Sequence, residues 1–398
     1  MRRTNARAAG QRSAGSGFGF GSLRNICKVM SRSLLRRVFG RIYRLVVRAH
    51  LLYPVARVVH VVSLSMSGAA LSSKIILFLL PGEDFLTGGI LSIFSLYRFS
   101  AELATIHNAK VLMCFYPGEG RCEWPIRKGV IIYPFELVMA ACSRAKSVHV
   151  HVPEYAVQGF LEQMGSERLA QLRLERGLRI NILNQNVLEM PSEETLERLR
   201  EAVPELTCTT AHPSYTTAEY RRRWKVPVHF LPGWYYPHDP VVSTYASKRD
   251  LLIVSPDPSP YRDLVLQKIS AELPHIKIQV ISGMPFKKYL KLTQVAKWSL
   301  TFGEGLDDYF ASVSVRGGVG FAVYNDDFFT KEYRDIRTIY PDWDSLAGNI
   351  VRDMRAMDNE EEMGSYTAKV RPLLTEGWSE ATTRQALRDF YENKFTFP

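Results

Sequence analysis

The sequence predicts an α/β protein, with two doubly wound units in tandem behind a basic helical N-terminal extension. Three observations predict it. From Lys74 to Tyr324, short apolar runs of strand type alternate with segments of helical period. The clearest runs, such as Ile75–Leu80 and Leu251–Val254, are apolar throughout, as parallel strands covered on both faces are. A Pro-, Tyr- and Trp-rich stretch, Pro232–Ser247, divides the pattern in two and reads as a linker.

The extension comes first. Met1–Gly21 holds Arg, Gly, Ser and Ala without periodicity and is expected to be disordered. In Leu23–Val62, Arg37, Arg41, Arg44 and Arg48 share one face of a helix. Val38, Phe39, Ile42, Leu45, Val46 and Ala49 share the opposite face. A basic amphipathic helix of this kind lies on an anionic membrane surface, packs on the protein body with its arginines in water, or serves as a transit peptide.

In the first unit Ile75–Leu80 is a buried strand, Pro81–Gly89 a loop ending in Gly88-Gly89, and Ile90–Leu103 a helix. Further strands are expected at Val111–Tyr116, Val148–Val152, Arg179–Leu183, Leu206–Thr210 and Val228–Leu231. Helices are expected at Phe135–Cys142, Glu154–Met164, Glu193–Glu201 and Ala218–Trp224. In the second unit, strands Leu251–Val254 and Ile276–Ile281 alternate with helices Tyr261–Leu273 and Phe286–Ala296. Ser299–Asn325 then reads strand, glycine turn, helix, glycine turn, strand. Gly303-Glu304-Gly305 breaks the run Trp298–Phe302. Leu306, Tyr309, Phe310 and Val313 have helical spacing, and Gly317-Gly318 precedes the run Val319–Tyr324. Trp343–Met357 and Glu380–Tyr391 close the chain as helices. The expected domains are therefore 1–72, the extension; 73–240, an acceptor-side unit; and 241–398, a nucleotide-binding unit with closing helices.

Charge and cysteines exclude several classes. The net +11 divides into +14 over residues 1–82, which hold no Asp or Glu, and −3 over the rest. A mildly acidic body argues against a nucleic-acid groove. Cys27, Cys114, Cys122, Cys142 and Cys208 are odd in number and scattered, which suits a reducing compartment and offers no metal-ligand spacing. No uncharged apolar run reaches the roughly 18–20 residues of a membrane span. The expected location is cytoplasmic, with the extension on the inner face of the membrane.

A glycine turn between strand and helix aims backbone N–H groups and the positive helix end at one point, which makes an anion site or only a tight turn. Paired doubly wound sheets bind ligands beyond the carboxyl ends of their strands, in the cleft between them.

The order of these motifs resembles the large retaining glycosyltransferase family with the GT-B fold, group 1 or family 4-like, over about Ile75 to Phe328. The first strand with Gly88 and Gly89 is similar to the family's donor-side glycine loop. Val148-His149-Val150-His151 is similar to its strand ending in a histidine, which puts His151 opposite the transferred sugar. Ser255–Asp263 stands where the family carries an Arg and a Lys on the donor diphosphate. Met284–Leu306 matches its turn, helix, strand and Glu-Gly-Phe-Gly-Leu run. This sequence departs from the pattern in two places. Phe302 and Phe310 fall where the family has two glutamates, with Glu304 the nearest Glu, and Asp257 falls at the Arg position while Arg262 keeps the Lys one.

The resemblance implies two tandem Rossmann-like domains and an enzyme, a hexosyltransferase-like glycosyltransferase in polysaccharide or glycan assembly, retaining and metal-independent. It implies no bound cofactor, a nucleotide-sugar donor, and a saccharide or lipid-linked acceptor. His151 and Glu304 are the expected catalytic residues. Gly88, Gly89, Arg262, Gly303, Gly305, Leu306 and Asp307 are expected on the donor. The residues also allow a GT-B-shaped binding protein without catalysis, or a nucleotide-sugar epimerase. His149 and His151, alternating with valines on one strand face, suit a core position equally well. Asn184-Gln185-Asn186 and Thr210–Pro213, each after a strand, border the acceptor cleft or form ordinary turns.

Overall fold

A computed structural model describes residues 53–80, 88–117, 126–127, 129–233, 241–376 and 378–398. The predicted disordered stretch 1–21, the arginine face at 37–48 and the centre of the linker lie outside the described residues. Of the predicted membrane-facing segment, Tyr53 onward is described, in a helix Tyr53–Met66. No helix among the described residues is long and apolar enough to cross a membrane.

Among the described residues two sheets form. The first has eight strands: β1 Lys74–Leu80, β2 Lys110–Phe115, β3 Ile126–Arg127, β4 Val130–Pro134, β5 Ser147–Pro153, β6 Leu178–Asn184, β7 Leu206–Thr210 and β8 Val228–Phe230. Their order is β3-β4-β2-β1-β5-β6-β7-β8. Only the β3–β4 pair is antiparallel. The second sheet has β9 Arg249–Val254, β10 Lys277–Val280, β11 Ala296–Leu300, β12 Val319–Val323 and β13 Ile339–Tyr340, parallel in the order β10-β9-β11-β12-β13. The chain is thus α/β with two doubly wound parallel sheets, as the apolar runs predict.

β1 shows why such runs are parallel strands. Ile75, Leu77 and Leu79 pack into one apolar layer, and Ile76, Phe78 and Leu80 into another. Full burial of each side chain contributes about 1.5–3 kcal/mol, so a polar residue on either face is costly. The last helix, Glu380–Tyr391, follows the second sheet in the chain but packs on the first. Its Ala386 and Leu387 join the layer of Phe78 and Ile90, and Tyr391 Oη lies 2.6 Å from Ser100 Oγ and 3.1 Å from His151 Nε2.

Strand order places the ligand region. In the first sheet the order reverses between β1 and β5, and in the second between β9 and β11. A crevice opens beyond the carboxyl ends of the strands at each reversal. The residues that follow these strands are Gly88–Leu91 after the β1 loop, Glu154 after β5, Ser255–Asp257 after β9 and Thr301–Asp307 after β11.

Several boundaries differ from the sequence reading. Gly88 and Gly89 lie in helix Gly88–Glu102, not loop. The predicted helix from Leu306 begins at Asp308, because the Asp307 carboxylate accepts the Phe310 N–H at 3.0 Å and caps it. Strand β4 and helices Ser166–Arg176 and Glu360–Glu376 are additional to the predicted elements.

Candidate active site

The two crevices face each other across one cleft of about 1330 Å³. The first wall consists of Gly88–Ser92, Glu154, Tyr155, Gln185, Asn186, Glu189, Ala211, His212 and Gly233. Here β6 ends at Asn184, and the turn behind it presents Gln185 and Asn186 to the cleft. Glu154 lies beneath that turn. Its Oε1 accepts the Asn186 N–H at 3.0 Å, and its Oε2 has no partner. Burial pushes the Glu154 carboxyl up to about 8, against the backbone N–H groups of its own turn and of Gln185 and Asn186. The helix Gly88–Glu102 points its first turn, with no acidic residue in it, into the cleft. The Gln185 amide holds that turn by donating to Gly89 O at 3.3 Å.

The second wall is Asp257, Ile281–Phe286, Tyr289, Gly303, Glu304 and Leu306–Tyr309. Glu304 reaches across. Its Oε1 accepts from Asn186 Nδ2 at 2.5 Å. Burial raises its carboxyl to about 7, with Glu189 and Asp257 adding like charge. Asp307, tied to Thr301 Oγ1 and the Phe310 N–H, is raised to about 8, first by burial and then by Glu304 and Asp257. A β-carbon at Gly303 would stand 2.9 Å from Asp257 Oδ2 and 3.3 Å from Asp307 Oδ2, so a larger residue there would push the Asp257 carboxylate aside. Gly305 has φ +92°, and its β-carbon would meet Phe329 at 2.6 Å and Val323 O at 2.8 Å.

The structure brings together Gly88, Gly89, Gly303, Glu304, Leu306 and Asp307 of the residues expected from the sequence. It places three elsewhere. His151 does not line the cleft. It is fully buried, stacked on Phe78 at 4.3 Å, and its ring nitrogens meet Asn181 Nδ2 and Tyr391 Oη, both at 3.1 Å. Burial, with His149 and His107 nearby, holds it well below the usual histidine range and therefore neutral. The alternation with valines is here a core alternation. Arg262 does not line the cleft either. Its Nη1 donates to Ser255 O at 2.7 Å and Asp257 O at 2.8 Å, and its guanidinium lies over Phe302 at 5.4 Å, so it braces the loop after β9. Gly305 shapes the turn from behind. Glu154, Ser92, Glu189 and Trp378 line the cleft without having been expected there, and Asp257 lines it where the resemblance has an Arg. Among the described residues six carboxyl groups line it, at Glu154, Glu189, Asp257, Glu304, Asp307 and Asp308. Among the described residues no Lys or Arg does.

No family model matches the chain, and no curated protein does. Solved structures do match. One is TarM of S. aureus in complex with Fondaparinux, alpha-GlcNAc-glycerol and UDP. It has a TM-score of 0.52 at 8% identity, over 80% of this chain and 99% of that one. Another is the trehalose-6-phosphate synthase OtsA, with a TM-score of 0.50 at 9% identity, over 81% and 98%. The fold is GT-B. At such identities the likeness extends to architecture, and the chemistry must come from the cleft itself.

Proposed function

We propose that this GT-B protein is a glycosyltransferase that moves a sugar from a nucleotide-sugar donor to a saccharide or lipid-linked acceptor in glycan assembly. One observation carries the reading. The first described turn of helix Gly88–Glu102 and the Glu304 carboxyl line the same cleft at the two strand-order reversals. The helix end suits a leaving diphosphate, since its N–H groups and dipole favour negative charge. Glu304, with a carboxyl titrating at about 7, suits proton exchange with a sugar hydroxyl near neutral pH. Asn186 orients it from the facing wall. Retention of configuration follows the family resemblance, and the anomeric configuration of the product tests it. A panel of nucleotide sugars tests the reading as a whole. Release of nucleoside diphosphate supports transfer, and an altered sugar still joined to its nucleotide indicates an epimerase.

A second reading is a GT-B-shaped saccharide- or nucleotide-sugar-binding protein without turnover. The occupation of Arg262 by its own loop carbonyls and of the Asp308–Ser314 helix end by Asp307 favours it. Binding without turnover in the same panel distinguishes it.

We also propose that residues 23–62 hold the protein on an anionic membrane surface, where each Lys or Arg contributes about 1 kcal/mol. Co-sedimentation with anionic vesicles should fall as salt rises. It should also fall for a chain beginning at Ser72, and equal sedimentation of both chains contradicts the proposal.

A further inference from the structure

Four histidines from three different elements meet the last helix, Glu380–Tyr391. His149 and His151, on one face of β5, stack on each other at 4.7 Å and lie 5.5 and 5.6 Å from the Phe390 ring. His151 Nε2 also lies 3.1 Å from Tyr391 Oη. His229 of β8 lies 6.1 Å from Phe390, and its Nε2 donates to Ala386 O at 2.8 Å. His107, at the end of the short helix Ala104–His107, packs edge-on against Tyr391 at 4.9 Å.

The surroundings of these rings suit the neutral form. His107 Nδ1 accepts the Ala109 N–H at 3.0 Å. His151 Nδ1 accepts from Asn181 Nδ2 at 3.1 Å, and the orientation of that amide is set by Thr207 and Thr209, which occupy its Oδ1 and its Nδ2. A second proton on either ring would face a donor. His149 Nε2 is closed to water and has no partner, so a charge on that ring would be poorly solvated. The charges that act on the cluster are Arg179 on His149, Lys74 on His107 and Asp389 on His229, so a carboxylate serves His229 alone. On the helix, Arg384 is paired with Glu102 and Glu380.

We propose that this histidine cluster makes the last helix an acid-released clasp, closed at neutral pH and opening as its rings take up protons. The clasp reaches the cleft. Thr383 Oγ1 donates to Pro232 O at 3.0 Å, and Trp378, just before the helix, lines the cleft and donates from Nε1 to Ala211 O at 3.1 Å. Opening of the helix therefore frees one side of the cleft from the first wall.

The sign follows from proton linkage. Burial is the first cause that holds each of the four rings below the ordinary histidine value of 6.5, with His149 down at about 3. The open form then binds more protons than the closed one at mildly acid pH. The closed clasp keeps its full stability above the ordinary histidine range and loses it as pH falls through that range. Each ring that gains a proton on opening raises the opening constant about tenfold per pH unit.

The test is hydrogen–deuterium exchange of the full chain between pH 7 and pH 5, corrected for the intrinsic exchange rate and read by peptide. We expect the opening constant of residues 380–391 to rise about a hundredfold or more per pH unit below pH 6, the signature of two or more rings, while β9 and β11 stay protected. His149→Phe, which keeps a stacking ring and loses no hydrogen bond, should lower that slope by about tenfold per pH unit. His229→Gln, which keeps a donor for Ala386 O, should lower it by the same amount. If neither variant folds, the slope of the unaltered chain decides. A slope near zero, equal loss of protection in β9 and β11, or an unchanged slope in a folded His149→Phe and a folded His229→Gln overturns the proposal. Exchange is read without turnover, so the result does not depend on the transfer reading.

Discussion

The two walls of the cleft treat their polar groups in opposite ways. The loops that carry the second wall are tied by their own hydrogen bonds. Asp307 caps the helix that follows it, Thr301 Oγ1 takes the Gly303 N–H at 3.1 Å, Ser255 Oγ takes the Phe302 N–H at 2.9 Å, and Arg262 braces Ser255 and Asp257. On the first wall Ser92, Glu154 and His212 hold buried atoms with no partner. The glycine motif that looks most like a binding site is therefore largely self-satisfied, and the unpartnered buried atoms lie on the wall opposite it. Glu304 is the link between them, a second-wall acid whose partner, Asn186, belongs to the first.

The largest effect expected from breaking this arrangement is on turnover. Glu304→Gln should reduce it roughly 10²–10⁴-fold, the usual contribution of a general acid or base. Nucleotide affinity should stay close to the wild-type value, measured by calorimetry. An equal fall in affinity would place Glu304 on the nucleotide instead of the reacting hydroxyl.

The next effect is on stability against pH. Glu154 and Asp307 titrate at about 8 in the fold, against ordinary values of 4.5 and 3.8. Their native carboxyls keep protons that the unfolded chain has already released. Their contribution is thus fully present below the ordinary carboxylate range and is lost as pH rises through about 8. The Tm of Glu154→Gln should exceed the wild-type Tm at pH 8, with the gap closing toward pH 4. A gap that is constant with pH contradicts burial of a protonated Glu154.

Smaller effects sharpen the contrast between tied and untied groups. Asp307→Ala removes a helix cap and should cost about 0.5–2 kcal/mol in urea unfolding. Arg262→Ala removes both carbonyl contacts and should cost about 1.5–3 kcal/mol, with nucleotide affinity kept. Ser92→Ala should cost less than either, because no partner is lost. A folded Arg262→Ala protein with weakened nucleotide binding would return Arg262 to the donor site.

Most of the architecture was legible because buried parallel strands write continuous apolar runs, as at Ile75–Leu80 and Leu251–Val254. Elements with weaker patterns escaped. Helix Ser166–Arg176 buries Leu169 alone, and helix Glu360–Glu376 contains Pro372, which reads locally as a break. The return of Glu380–Tyr391 to the first sheet is a long-range contact with no local signal. In the site, Gly88, Gly89, Gly303, Glu304, Leu306 and Asp307 were legible from glycine turns and family resemblance. His151 and Arg262 were not, since spacing puts a residue at a strand end or helix start but does not tell which way the side chain is held. Glu154 offered one signal, an acid directly after a strand ending in Val152-Pro153. Its burial depends on the Gln185–Asn186 turn, which lies about 30 residues further on.

The most direct test of the account is nucleoside diphosphate release by the full chain from a panel of nucleotide sugars, with neutral glycosides as acceptors. The account predicts release from at least one donor, stimulated by a neutral glycoside and abolished by Glu304→Gln. Donor binding with no release for any pair, or release that Glu304→Gln leaves unchanged, contradicts it.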